Sequence, residues 1–141
     1  MEGQKWNNID SLHDRSQLDD VEIRFKYKLP DDFREFLMKY NGSSPLNNII
    51  IVPGGIGPVI LDHFISFNKN SEDSIYSKGN LLGNGFFPFA MTPEGLIFMF
   101  EKSSGRVYLS NPEIMESYYV TDSFTKLISK LINEDYLNRL T

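Results

Sequence analysis

The sequence predicts a protein that mixes helices with an antiparallel sheet, on three observations. Residues 29–42 spell an amphipathic helix with both ends marked, residues 86–110 alternate three apolar runs with turn chemistry, and residues 121–132 again space apolar side chains as a helix does. At 141 residues the chain has the length of one compact domain, able to bury roughly 68–70% of the surface its unfolded form exposes. Hydrophobic residues make up 40% and aromatics 13%. That much apolar bulk excludes wholesale disorder and builds a core without staples.

Taken in order, Trp6, Ile9 and Leu12 recur at a spacing suited to one or two helical turns. From Asp19 to Tyr27 two readings stand. Val21 with Phe25 makes a helix face, whereas Val21, Ile23, Phe25 and Tyr27 alternate as a strand does. The next segment is clearer. Pro30 suits a first helical turn, Asp31 and Asp32 meet the positive end of the helix dipole, and Phe33, Phe36, Leu37 and Tyr40 form one stripe. Lys39 complements the last turn, and Asn41 with Gly42 ends the helix, because both tolerate the left-handed conformation.

Ile49 to Val52 is too short for a helix and rich in β-branched residues, so it reads as a strand. "PGGIGP" breaks the chain, and Val59 to Phe67 resumes an extended pattern. "NKNSEDS" then signals a short helix capped by Ser71 or Ser74, with Glu72 and Asp73 in its first turn, ending near "KGN". "FFPFA", "LIFMF" and "RVYLS", separated by "TPEG" and "EKSSG", form an antiparallel meander. Pro93 and Gly95 fit a type I turn. The middle strand is apolar on both faces, which makes it central and requires a cover on each side. The closing helix supplies one cover: Thr121 or Asp122 caps it, and Phe124, Leu127, Ile128, Leu131 and Ile132 make its stripe. No internal repeat or linker interrupts the chain.

Composition removes several chemistries. There is no cysteine, hence no disulfide, thiolate nucleophile or Cys-based metal site, and a reducing compartment fits. The polar start "MEGQKWNNID" lacks a secretory core, and no run approaches a membrane span, so a soluble cytoplasmic protein is expected. A net charge of −5 disfavours direct binding of nucleic acid or anionic membrane and favours a basic partner. Gly54, Gly55 and Gly57 follow an apolar run but lack the Lys-Ser/Thr ending of a phosphate loop, so they read as a turn or bulge. His13 and His63, the latter beside Asp62, have no metal-ligand spacing to a second ligand. No Gly-x-Ser-x-Gly elbow occurs. The acidic pairs Asp19/Asp20, Asp31/Asp32 and Glu134/Asp135 read as solvated faces or dipole partners, and Trp6, Tyr118 and Tyr119 as the exposed aromatics.

Three blocks carry a family resemblance. "YKLPDDFREFLMKYNGSSP" resembles the Leu-Pro-acid-acid-aromatic helix, ending in Tyr-Asn-Gly, of the SUKH superfamily, which includes yeast cell-wall-synthesis regulators and bacterial immunity proteins. "FFPFAMTPEGLIFMFEKSSGRVYLSNPE" is similar to that family's hydrophobic strand, glycine turn and Val-Tyr segment, and "YVTDSFTKLISKL" to its closing helix. Leu96 after the turn glycine and Ser110 after the Val-Tyr strand depart from the family pattern. The blocks span most of residues 19–132 of a single expected domain, 1–141. The resemblance implies an α+β fold, a curved and mostly antiparallel sheet flanked by helices, with residues 19–29 as the helix leading into Leu29 and Pro30.

It also implies a non-enzymatic protein-binding module without catalytic residue, cofactor or metal. The first expectation is an immunity protein that neutralises a cognate, basic toxin of nuclease or deaminase type; a regulatory scaffold like the yeast relatives, or a small-ligand module, is the alternative. Because recognition concentrates on loops and exposed edges, the contact residues expected are Asp62, Glu72, Asp73, Glu94, Glu113 and Glu116, with Tyr118 and Tyr119 as aromatic anchors. Oligomeric state and the identity of the toxin stay open.

Overall fold

Apolar alternation pairs the strands, and the helical stripes close over one face of the sheet they make. The computed structural model describes residues 3–140. In chain order these form β1 (Trp6–Asn7), α1 (Ser16–Phe25), α2 (Asp31–Tyr40), β2 (Ser44–Pro45), β3 (Ile49–Val52), β4 (Gly57–Ile60), β5 (His63–Phe64), α3 (Ile75–Lys78), β6 (Phe86–Met91), β7 (Ile97–Glu101), β8 (Val107–Asn111), β9 (Glu116–Thr121), α4 (Phe124–Lys130) and α5 (Glu134–Leu140). The main sheet is antiparallel with order β5-β6-β7-β8-β9, while β1 pairs with β2 and β3 with β4. Register shifts at Pro88/Ala90 and Val107/Tyr108 mark bulges, which bend and twist the strands that carry them. This is the α+β arrangement expected.

The core is an aromatic cluster. Phe33 of α2 is fully buried and meets the rings of Phe67, Phe89, Phe100 and Phe124 at centroid distances of 6.0, 5.6, 5.2 and 5.0 Å. It thereby joins α2, the sheet and α4 in one contact set. Strand β7 is buried on both faces, as its sequence requires: Phe98 and Phe100 face the helices, Ile97 and Met99 the opposite side. Leu81 and Leu82 after α3, with Pro112 and Met115 of the β8–β9 turn, flank that opposite side around Met99.

Electrostatics pins α1 to α2. Arg34 lies 2.7 Å from Glu22 and 3.2 Å from Asp19, and the second oxygen of Glu22 accepts the Leu29 N–H at 2.8 Å. The helix that the resemblance implies over residues 19–29 forms over Ser16–Phe25: Lys26 closes it in the left-handed region, and residues 27–29 lie outside it. Asp32 bridges to α4, where its carboxylate accepts the Thr125 N–H at 3.0 Å and the Thr125 hydroxyl at 2.7 Å.

Several local expectations are corrected. Trp6, Ile9 and Leu12 do not form a helix; Trp6 lies in β1, half-buried, and packs edge-on against Phe36 at 4.9 Å. Pro30 stands just outside α2, at its N-cap. The extended run at 59–67 divides into β4 and β5, because Leu61 and Asp62 donate to carbonyls of two different segments. Ser74 caps α3, so Glu72 and Asp73 precede the helix instead of entering its first turn. Ser123, not Thr121 or Asp122, caps α4 by accepting the Lys126 N–H at 3.1 Å. Leu131 and Ile132 fall beyond that helix, yet both are buried, and Ile132 exchanges backbone hydrogen bonds of 2.9 Å with Ile49. Strand β9 and helix α5 were not foreseen.

The Tyr-Asn-Gly signature also works differently from the expectation. Asn41 has φ −51° and ψ 133°, an extended conformation, and only Gly42 is left-handed, at φ +70°. The Asn41 side chain is buried, and its amide donates to the Asp10 carbonyl at 2.7 Å and to the Ser66 hydroxyl at 3.1 Å, while its oxygen accepts the Phe67 N–H at 3.0 Å. The Asp10 carboxylate in turn accepts from the hydroxyls of Ser66, at 2.7 Å, and Ser71. Those hydrogen bonds, Ser71 foremost, hold the Asp10 carboxyl below the ordinary carboxylate value of 3.8 against the opposing effect of burial. Asn41 therefore ties the amino-terminal segment, the end of α2 and the stretch after β5 together.

Candidate partner-binding surface

None of the strands contains Lys or Arg; the fourteen cationic side chains fall in helices and loops. The sheet register turns this distribution into a charge gradient along the strands. His63 pairs with Met91, Ile97 with Ser110, and Asn111 with Glu116, so the β4–β5 connection, the β6–β7 turn and the β8–β9 turn share one end of the sheet. Asp62, Glu94, Glu113 and Glu116 lie there, all exposed. Residues 40–68, 79–101 and 107–125 include no Lys or Arg, and the basic group among them is His63, whose Nδ1 is 2.8 Å from Asp62 Oδ2. The opposite end is cationic: Arg24, Lys26 and Lys102 line one depression, and Lys102 Nζ donates to the Phe25 carbonyl at 2.9 Å.

The eight expected contact residues thus divide. Four acids share the anionic end. Glu72 and Asp73 lie elsewhere, because residues 65–67 run beside β6 away from that end before the chain reaches them, and Asp73 pairs with Lys78 at 3.4 Å. Tyr118 is half-buried against the core and donates to Glu116 at 2.5 Å, a hydrogen bond that raises the phenol's pKa. Tyr119 points to the other face, 41% exposed, where its ring meets Tyr108 at 5.9 Å and its hydroxyl donates to Asp122. That bond raises the Tyr119 pKa and lowers that of Asp122.

On the second face Phe86, Met99, Ser110 and Ser117 line a groove of about 400 Å³ beside Leu81 and Met115. Its rim is apolar: Met115 is 89% exposed and Leu81 55%. The sequence signal for this rim is the apolar Met115 inside the turn "NPEIME", a place where solvated residues are the rule. A second groove, about 580 Å³, runs between α2 and α4 and is lined by Trp6, Phe36, Tyr40 and Phe124 with Glu35 and Lys39 at its polar border. Trp6, expected to be exposed, forms a wall of it.

The two borders of the main sheet differ. At β5 the border is closed, since the Phe64 N–H donates to the Ser43 carbonyl at 2.9 Å. At β9, among the described residues, no backbone segment pairs along the outer side of Glu116–Tyr119.

The glycines at 54, 55 and 57 have φ of +80°, +84° and +86° and turn β3 into β4, a hairpin connection and no phosphate cradle. Among the described residues no group of three His, Cys, Asp or Glu side chains is placed to hold a metal ion, and no helix is long and apolar enough to cross a membrane.

The family model SUKH_6, described as SMI1-KNR4 cell-wall, matches residues 15–128. The match runs from the start of α1 into α4 and includes the whole five-stranded sheet. No curated protein matches the chain.

Proposed function

Because the chain belongs to the SMI1-KNR4 cell-wall family of SUKH domains, we propose that it is a non-enzymatic binding module that neutralises a cognate basic toxin in the cytoplasm by covering it. The toxin is of nuclease or deaminase type, whose substrate-binding surface is cationic because it must hold a phosphate backbone. The observation that carries the reading is the segregation of Asp62, Glu94, Glu113 and Glu116 at one end of the sheet, in segments free of Lys and Arg. Occlusion requires complementarity over about 1,600 Å² in total, with a few anchors carrying most of the energy. The anionic end supplies the field that accelerates encounter with a cationic partner, and Tyr118 and Tyr119 supply aromatic surface beside it.

The test begins with a pull-down from the native cell, read by mass spectrometry, followed by titration of the captured partner. Association slows with added salt and slows again in the Glu94→Lys/Glu113→Lys variant. A partner that is acidic, or bound at the same rate by the variant, sinks the proposal. A regulatory scaffold is the second reading, favoured by the cell-wall description of the family. A cell-wall-synthesis protein as the captured partner selects it.

A further inference from the structure

We propose that the partner adds an extended, cationic segment to the main sheet along Glu116–Tyr119 of β9. This rests on the reading above, which supplies the charge of the partner; the edge itself supplies the mode of binding.

An open sheet edge is an association hazard, and folded proteins guard it with Lys, Pro, a bulge or a covering segment. The β5 border has its cover in Ser43. The stretch Glu116–Tyr119 carries no Lys or Pro, no backbone segment among the described residues pairs with its outer side, and the register shift between β8 and β9 lies beyond it, at Val107/Tyr108; Glu116 is its one charge. Alternate backbone N–H and C=O groups of an edge strand face outward, so four residues offer a template for an incoming strand. That strand would place every second side chain on the second face, beside Tyr119, Ser117 and the exposed Met115 that rims the groove there. Main-chain bonding gives such a mode its affinity and the alternate side chains its specificity.

Charge selects the occupant. A second copy pairing through its own β9 would bring Glu116 again and no cation, since residues 107–125 lack Lys and Arg. A segment carrying Arg or Lys instead places positive charge beside Glu116, Glu113 and Glu94 at the end of the strand.

The probe is a synthetic octapeptide alternating valine and arginine, titrated into the full chain and followed by amide resonances and exchange, with a valine–glutamate octapeptide as control. The expected result is slowed amide exchange confined to residues 116–119, backbone contacts between peptide and β9, and affinity about tenfold or more above the control. Ser117→Lys, which sets a cationic guard on an exposed position, and Ser117→Pro each weaken binding about tenfold. Equal binding of both peptides overturns the inference, as does arginine-peptide binding confined to the α2–α4 groove. A concentration-dependent dimer that protects residues 116–119 also overturns it, because the occupant is then a second copy. The two proposals separate with the captured partner: if Glu94→Lys weakens it while both Ser117 variants bind normally, strand addition fails and the anionic surface stands. If neither change matters, both fail.

Discussion

Replacing Asn41 separates two explanations of the Tyr-Asn-Gly signature. If the side chain served only to let the helix end in a left-handed turn, glycine would serve as well. The structure gives it φ −51° and three buried hydrogen bonds instead. In Asn41→Ala the Asp10 carbonyl keeps the Asn68 amide as a donor, at 3.1 Å, and the Ser66 hydroxyl keeps Asp10, but the buried Phe67 N–H loses its one acceptor. An orphaned buried donor costs about 1–3 kcal/mol, and the two other bonds about 1 kcal/mol each, giving about 3–5 kcal/mol in all. At a urea m-value of about 2 kcal/mol/M, the unfolding midpoint falls by about 1.5–2.5 M. Asn41→Gly loses the same bonds and adds backbone entropy to the unfolded chain, so its midpoint falls at least as far. A stability for Asn41→Gly within about 0.5 kcal/mol of the parent would refute this reasoning, since ordinary surface changes fall in that range.

Gly42→Ala meets two obstacles, the left-handed φ of +70° and a Cβ 3.0 Å from that of Asp10, and should lower stability by about 1–3 kcal/mol in the same urea assay. Gly79 has ordinary dihedrals, but a Cβ there would sit 2.2 Å from the Phe25 ring. Gly79→Ala should cost about 1–3 kcal/mol, and adding Phe25→Leu should recover part of it, the non-additivity being read from the double-mutant cycle. The Asp10 carboxyl titrates below its unfolded value of 3.8, so its contribution is complete above that value and lost as pH falls through the lower folded pKa. The stability gap between parent and Asp10→Asn, followed by urea midpoints from neutral pH downward, should therefore be level at neutral pH and close below pH 3.8.

Sequence reading succeeded where a periodic pattern and a local end signal agreed. Helix α2 and the β6–β8 meander carry both; of the stripe expected in α2, Phe33, Phe36 and Leu37 are buried and Tyr40 is partly buried. It failed where tertiary contacts decide. Trp6 sits in a two-residue strand because Pro45 and Ser44 come alongside it, a pairing across nearly forty residues that no local pattern announces. Strand β9 was obscured because its first half faces solvent, and Glu116, Ser117 and Tyr119 give no apolar alternation. The candidate surface followed the same division. Exposure of the six acids was readable from turn chemistry, but their division between two places needed the register of β6 to β9. Asn41 was recognised as important for the wrong reason, since the groups it bonds lie 25 to 31 residues away.

A sheet with one sealed border and one vacant border has a consequence for self-association. Growth into a fibril requires each added molecule to present a fresh template, and here the first pairing consumes, on both participants, the border of the main sheet that no described segment pairs with. Encounters between copies through this sheet would stop at two molecules. The same asymmetry makes Ser43 a gatekeeper: peeling its segment away from Phe64 would give the chain a second growing point and turn a terminating contact into a polymerising one.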